Sequence, residues 1–196
     1  MVNTRLLIQE PEYLEPATIQ EAVQLLERYG PNAKLIAGGT DLLVQMKLER
    51  AHPTCLISLK NIPGLHFIGN GSTLRIGAAT LLRDVLSFCS GKEKYAALFE
   101  ALSALATAPI RNMGTLGGNL CNASPAADSA PPLLVLDAWV KICGLNGERM
   151  LPMIQFFKDV NRTLVASNEI LTEIQIPPVP GGSGSAFQKI SRVGAD

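Results

Sequence analysis

The stretch Lys34-Leu35-Ile36-Ala37-Gly38-Gly39-Thr40-Asp41-Leu42 passes from a short apolar segment, through paired glycines, into the start of a second periodic segment. Lys34 to Ala37 reads as a strand and Gly38-Gly39 ends it. Thr40 or Asp41 then caps a helix from Leu42 to about Glu49. Upstream, Thr18-Ile19-Gln20-Glu21 is a capping box that opens a helix through about Tyr29. Ile19, Ala22, Val23, Leu25 and Leu26 form its apolar stripe, and Gly30-Pro31 stops it. Cys55 to Leu59 is the next strand. Strands alternating with helices in this way predict a small βαβ unit on a parallel sheet, placed at residues 1–61.

From Leu65 the pattern changes. His66 to Gly69 and Thr73 to Gly77 flank Asn70-Gly71-Ser72, a hairpin signal, and Trp139 to Cys143 and Glu148 to Leu151 flank Asn146-Gly147, a second one. Thr80 to Phe88, Glu93 to Thr107, Asp128 to Leu136 and Met153 to Lys158 read as helices. Glu169 to Ile176 alternates as a strand with Ile170, Thr172, Ile174 and Ile176 on one face. The expectation for residues 62–180 is a larger unit, with helices on a mainly antiparallel sheet, so the fold class is α+β. Pro177 to Ser185, rich in Pro, Gly and Ser, reads as a loop or linker.

Composition narrows the function. The 196 residues carry 17 basic and 17 acidic side chains, and zero net charge argues against a nucleic-acid binder. A hydrophobic fraction of 47% excludes disorder as the main description, and a charged fraction of only 17% points to surface meant to be covered, by a partner or by further chain. Met1 to Leu14 has no signal-like apolar region and no apolar run is long enough to span a membrane, so the expected location is cytoplasmic. Cys55, Cys89, Cys121 and Cys143 are too far apart for a CxxC zinc or iron–sulfur motif and read as reduced, mostly buried thiols. His52 and His66 stand alone, so no metal site or catalytic triad is expected.

Two glycine-rich segments carry the chemistry: Ala37 to Asp41, and Gly114-Thr115-Leu116-Gly117-Gly118-Asn119 after Arg111-Asn112. Glycine pairs let backbone N–H groups converge on one anion, and two such turns, with Thr40 and Thr115 adding hydroxyls, suit a diphosphate. Neither is a GxGxxG or a GxxxxGK[ST] motif, and both equally serve as ordinary chain reversals. Asp128 lies at the end of a stretch dense in short polar side chains. It suits either hydrogen bonding to sugar hydroxyls or the N-cap of the following helix.

Together, Ala37 to Leu42 and Ile110 to Asp128 resemble the FAD-binding medium subunit of the molybdenum hydroxylases, the xanthine dehydrogenase and carbon monoxide dehydrogenase family. Phe187-Gln188-Lys189-Ile190-Ser191-Arg192 resembles that family's passage into its C-terminal domain. The resemblance implies a non-covalent FAD site between two subdomains. By carry-over, Leu35, Ile36, Ala37, Gly38, Gly39, Thr40, Asp41 and Leu42, with Thr115, Leu116, Gly117, Gly118 and Asn119, wrap the diphosphate and nearby sugar. Asp128 and Ser124 lie at the polar chain. Leu171 and Lys189 lie near the flavin ring, and Leu105 is a further contact. The implied role is electron relay, with a molybdopterin-binding large subunit and a [2Fe–2S] small subunit as partners carrying those cofactors. Residues 181–196 would begin a C-terminal domain that the chain lacks. A stand-alone flavoenzyme and a docking scaffold without FAD are the competing readings.

Overall fold

The computed structural model describes residues 10–190, so the readings of residues 1–9 and 191–196 lie outside it. The first sheet contains β1 (Glu12–Leu14), β2 (Ala33–Ile36) and β3 (Cys55–Ser58) in the order β1-β3-β2, and both pairings are parallel. Helices α1 (Ile19–Tyr29) and α2 (Leu42–Lys47) connect them. The expected βαβ unit is therefore present, with β1 as an addition. At three residues between Pro11 and Pro16, β1 is too short to show a period. Thr18 Oγ1 accepts the Glu21 N–H at 3.1 Å, and the Glu21 carboxylate accepts the N–H of Ala17 at 2.8 Å, so the capping box closes one residue early. α1 buries Ala22, Val23 and Leu26 in a core shared with Cys55, Ile57 and Leu59. Gly30, at φ +55°, ends it. Asp41 holds the N-cap position of α2, but its side chain makes no capping bond.

The second sheet uses β4 (Ile68–Asn70), β5 (Leu74–Gly77), β6 (Trp139–Gly144) and β7 (Gly147–Pro152). A small ribbon of β8 (Phe157–Asp159) and β9 (Arg162–Thr163) precedes its last strand, β10 (Ile170–Ile176). The order β4-β5-β10-β6-β7 is antiparallel throughout, with both expected hairpins in place. α3 (Leu82–Cys89), α4 (Ala96–Ala104), α5 (Ala108–Arg111), α6 (Leu116–Asn122), α7 (Ala130–Val135) and α8 (Met153–Phe156) accompany it. Leu98, Leu102, Leu116, Leu120, Leu133 and Phe156 are fully buried in its core.

Four sequence expectations change. The helix expected over Glu93–Thr107 is a 3₁₀ turn followed by α4, and the chain then breaks at Ala106 (φ +49°) before α5, which begins at Ala108-Pro109. Proline has no N–H for the preceding turn and so opens a new helix instead of extending the old one. The helix expected over Met153–Lys158 ends at Phe156, because Phe157 pairs with Thr163. The helix expected from Asp128 begins at Ala130, with Ser129 at its N-cap, so Asp128 is not its cap. In β10, a register shift between Leu171 and Glu173 breaks the single-face alternation. Ile170 packs into the first core, whereas Leu171, Ile174 and Ile176 pack into the second. Three cysteines are buried and Cys121 is exposed; all four are free.

The two glycine segments meet where the first sheet approaches the helices of the second. A Cβ on Gly38 would lie 2.1 Å from the Met113 carbonyl oxygen and 2.8 Å from the Gly114 Cα. A Cβ on Gly117 would lie 2.6 Å from the Ala78 oxygen, which accepts the Gly117 N–H at 2.8 Å. Both glycines are therefore required by chain-on-chain contact.

Glu173 is the charged residue of the central strand. Its carboxylate is nearly buried and accepts two hydrogen bonds of 2.6 Å from half-exposed Arg75. Burial pushes its pKa up, but hydrogen bonds from Arg75 and Gln175, and the charges of Arg75 and Lys141, outweigh that and hold it below the ordinary value of 4.5. Arg149 does the same for Glu169. A depressed carboxylate pKa contributes stability above the unfolded-state value, and this is lost as pH falls through the folded-state value.

Three outcomes follow. R75M strands a buried carboxylate and should cost about 2–3 kcal/mol in chemical denaturation, the half-exposed arginine placing it below the range for fully buried pairs; R75M/E173L should recover most of that loss. Wild-type melting temperature should fall on acidification below pH 4.5, and fall less in R75M. G38A should cost at least about 2 kcal/mol through overpacking against backbone, whereas G181A, with nothing within 4 Å of the added Cβ, should be nearly neutral.

Candidate functional site

The described residues contain one large cleft, about 710 Å³, between the two glycine segments. That volume is in the range of small-molecule and cofactor sites. Its floor is the turn that follows β2. Among the described residues, the N–H groups of Gly38, Gly39, Thr40, Asp41 and Leu42 have no protein acceptor. In the next turn of α2, Leu43 donates to Gly39 and Gln45 to Asp41, and the Val44 N–H has no acceptor among the described residues. Gly39 takes the turn through φ +70°, a conformation that favours glycine. Successive N–H groups without internal partners must be met from outside the chain, by water or by an anionic ligand.

The second glycine segment is built differently. It was expected to be a turn, but Gly117 and Gly118 sit inside the first turn of α6, with Thr115 as N-cap. Apart from Thr115, its N–H groups are already spent: Gly114 on Ile110, Leu116 on Thr80, Gly117 on Ala78, Gly118 on the Thr115 hydroxyl and Asn119 on the Thr115 carbonyl. It therefore does not share in the amide cradle. What it offers the cleft is the bare face of Gly118, whose added Cβ would meet only Thr115 Oγ1, and the amide of Asn119. The Asn119 Oδ1 accepts from buried Ser129 at 2.6 Å, and its own N–H donors have no acceptor among the described residues.

Leu35, Ile36, Ala37, Gly38, Gly39, Thr40, Asp41, Leu42, Thr115, Gly117, Gly118 and Asn119 all line this cleft. So do Leu105, Ser124, Asp128, Leu171 and Lys189, which come from four further parts of the chain. Leu116 does not: its side chain is fully buried in the core of the second sheet. The family motif carries it into the site, but a helix turns its side chains about 100° per residue, so the Leu116 side chain points into the core while Gly118 faces the cleft. Asp128 accepts a hydrogen bond from Lys189 Nζ at 2.9 Å, which ties the segment after the Pro-Gly loop to the edge of the cleft. Burial raises the Asp41 carboxyl above its ordinary value.

Other lining residues escaped the sequence reading. Gln45 Nε2 donates to Asn122 Oδ1 at 3.3 Å and bridges α2 to α6 across the cleft. Its signal was present: Gln45 is one helical turn after Asp41, and Asn122 lies in the polar stretch already singled out. Thr163 to Ile170 form another wall, held by Glu169 on Arg149 and on the Ala166 N–H. Nothing local in the sequence marks this segment, because it reaches the cleft through the long connection between β9 and β10. Among the described residues, no group of His, Cys, Asp and Glu is arranged to hold a metal ion, and no helix is long and apolar enough to cross a membrane.

Comparison with known proteins gives this cleft its context. Residues 8–179 match the family described as the FAD binding domain in molybdopterin dehydrogenase. The chain is 38% identical to the carbon monoxide dehydrogenase medium chain of Hydrogenophaga pseudoflava, over 94% of this chain and 65% of the relative. It is 35% identical to the xanthine dehydrogenase FAD-binding subunit of Escherichia coli O157:H7, over 86% of this chain and 58% of the relative. The fold superposes on a solved carbon monoxide dehydrogenase structure from Hydrogenophaga pseudoflava with a TM-score of 0.89 at 37% identity, covering 95% of this chain and 66% of that one. The chain thus spans less than two thirds of the length of these relatives. These matches bear out the family, the α+β fold and FAD as the cofactor. The chain belongs to the FAD-binding domain family of the molybdopterin dehydrogenases.

Proposed function

We propose that this chain is the FAD-binding part of the electron-transfer subunit of a molybdenum-containing hydroxylase or dehydrogenase. The observation that carries the reading is the run of five unpartnered N–H groups at Gly38–Leu42 on the floor of a cofactor-sized cleft. A diphosphate has the charge and the acceptors such a floor needs. Gly118 leaves room beside it, and Asn119 supplies a side-chain donor. Asp128 and Ser124 suit the hydroxyls of the polar chain. Leu105 and Leu171, both nearly buried, offer apolar surface to the flavin ring, with Lys189 as the nearby cation. When bound, FAD would supply the redox chemistry of a relay between a partner and an external acceptor.

Attachment is non-covalent in this reading, as no His, Cys or Tyr lies within Ala37–Leu42. The cleft would separate an N-terminal unit, residues 1–61, from a second unit, residues 62–180, with residues 181–196 leading toward a further domain. A molybdopterin-binding large subunit would oxidise the substrate, and a [2Fe–2S] small subunit would deliver the electrons. The names of the relatives support such a setting, which is cytoplasmic in this account.

The test is reconstitution. After incubation with FAD and gel filtration, the chain should carry the two visible absorbance bands of a flavin. G118L should remain folded by circular dichroism, because only the Thr115 hydroxyl, 2.8 Å from the added Cβ, has to shift and the rest of the side chain enters the cleft, but it should lose FAD affinity by more than about tenfold. A wild-type chain that retains no flavin sinks the reading; undiminished affinity in G118L removes the cofactor from this cleft.

A further inference from the structure

We infer that Arg111 is a positioning residue, which holds the Leu105–Ala106 wall of the cleft in the shape the flavin requires. The inference rests on the reading that FAD occupies this cleft. Arg111 closes α5 and does not line the cleft itself. Its Nη1 donates to the carbonyls of Leu105 at 2.8 Å and Ala106 at 2.9 Å, with Ser103 at 3.4 Å. Ser103 is in the last turn of α4, Leu105 is its C-cap and Ala106 follows, at the helix end where carbonyls lack helical partners and a cation is favoured.

The capped segment needs support for a second reason. Ala106 sits at φ +49°, in the left-handed region that a residue with a Cβ disfavours. Leu105 and Ala106 both line the cleft, and Leu105 is also part of the main core. The strained residue therefore sets the direction of the wall. Arg111 can hold it because α5 is itself anchored: the Arg111 N–H bonds Thr107, and Gly114 bonds Ile110 at 2.7 Å, next to the Gly38 contact. One guanidinium thus connects the glycine junction to the far wall of the cleft. The two N–H donors of Nη1 serve the two short contacts, Leu105 and Ala106, and the Ser103 carbonyl at 3.4 Å is the weaker third acceptor.

The experiment uses the whole chain with two readouts, FAD dissociation constant and amide hydrogen exchange of residues 105–108 without FAD. R111M should weaken FAD binding about tenfold and speed exchange at 105–108 at least tenfold. Adding A106G should restore most of the affinity, because glycine takes a positive φ without the strain that Arg111 offsets. A merely structural role for Arg111 would leave the R111M/A106G chain as weak as R111M, and that result overturns the inference. Unchanged exchange or unchanged affinity in R111M overturns it as well. A wild-type chain that binds no FAD instead overturns the functional reading on which it rests.

Discussion

Of the glycines in the described residues, Gly38 is packed tightest, backbone on backbone against Met113–Gly114, and the cleft depends on that contact. A single methyl group at Gly38 would have to displace a carbonyl oxygen 2.1 Å away. The first sheet could then not close on the helices of the second. Gly117 repeats the constraint against Ala78, this time with a hydrogen bond across the contact. Two segments distant in sequence are thereby locked at a fixed separation. The space left beside them is the cleft.

The same contacts assign the two glycine segments different physical roles. In the first, glycine gives a turn whose amides remain open. In the second, glycine lets a helix start hard against a strand end, and the helix consumes its own amides through Thr115, Thr80 and Ala78. One segment is an electrostatic surface and the other is a wall. Around them, polar pairs hold the edges: Asp128 with Lys189, Asn119 with Ser129, Gln45 with Asn122. Few of these groups belong to the same element, so the shape of the cleft is a property of the tertiary packing.

That division explains how much could be read from the sequence. The βαβ unit, both hairpins and the antiparallel character of the second sheet were legible, because capping residues, Asn-Gly turns and local periods encode them directly. Seventeen of the eighteen residues assigned to the site line the cleft, since glycine motifs and short polar side chains mark it locally. The failures share a cause. The Leu116 side chain turns into the core because a sequence motif does not give helix phase, and Asp128, also a candidate helix cap, pairs instead with Lys189, far along the chain. The bulge in β10 and the break at Ala106 are responses to partners on other elements. The wall from Thr163 to Ile170 has no local signature at all.

The central claim is that the open amides of Gly38–Leu42, and not those of α6, receive the cofactor's diphosphate. Hydrogen exchange with and without FAD tests it most directly. Gly38–Leu42 should exchange quickly in the free chain and become protected when FAD is added. Leu116–Asn119 should be protected from the outset and change little. Bound FAD that leaves the exchange of Gly38–Leu42 unaltered would contradict the account.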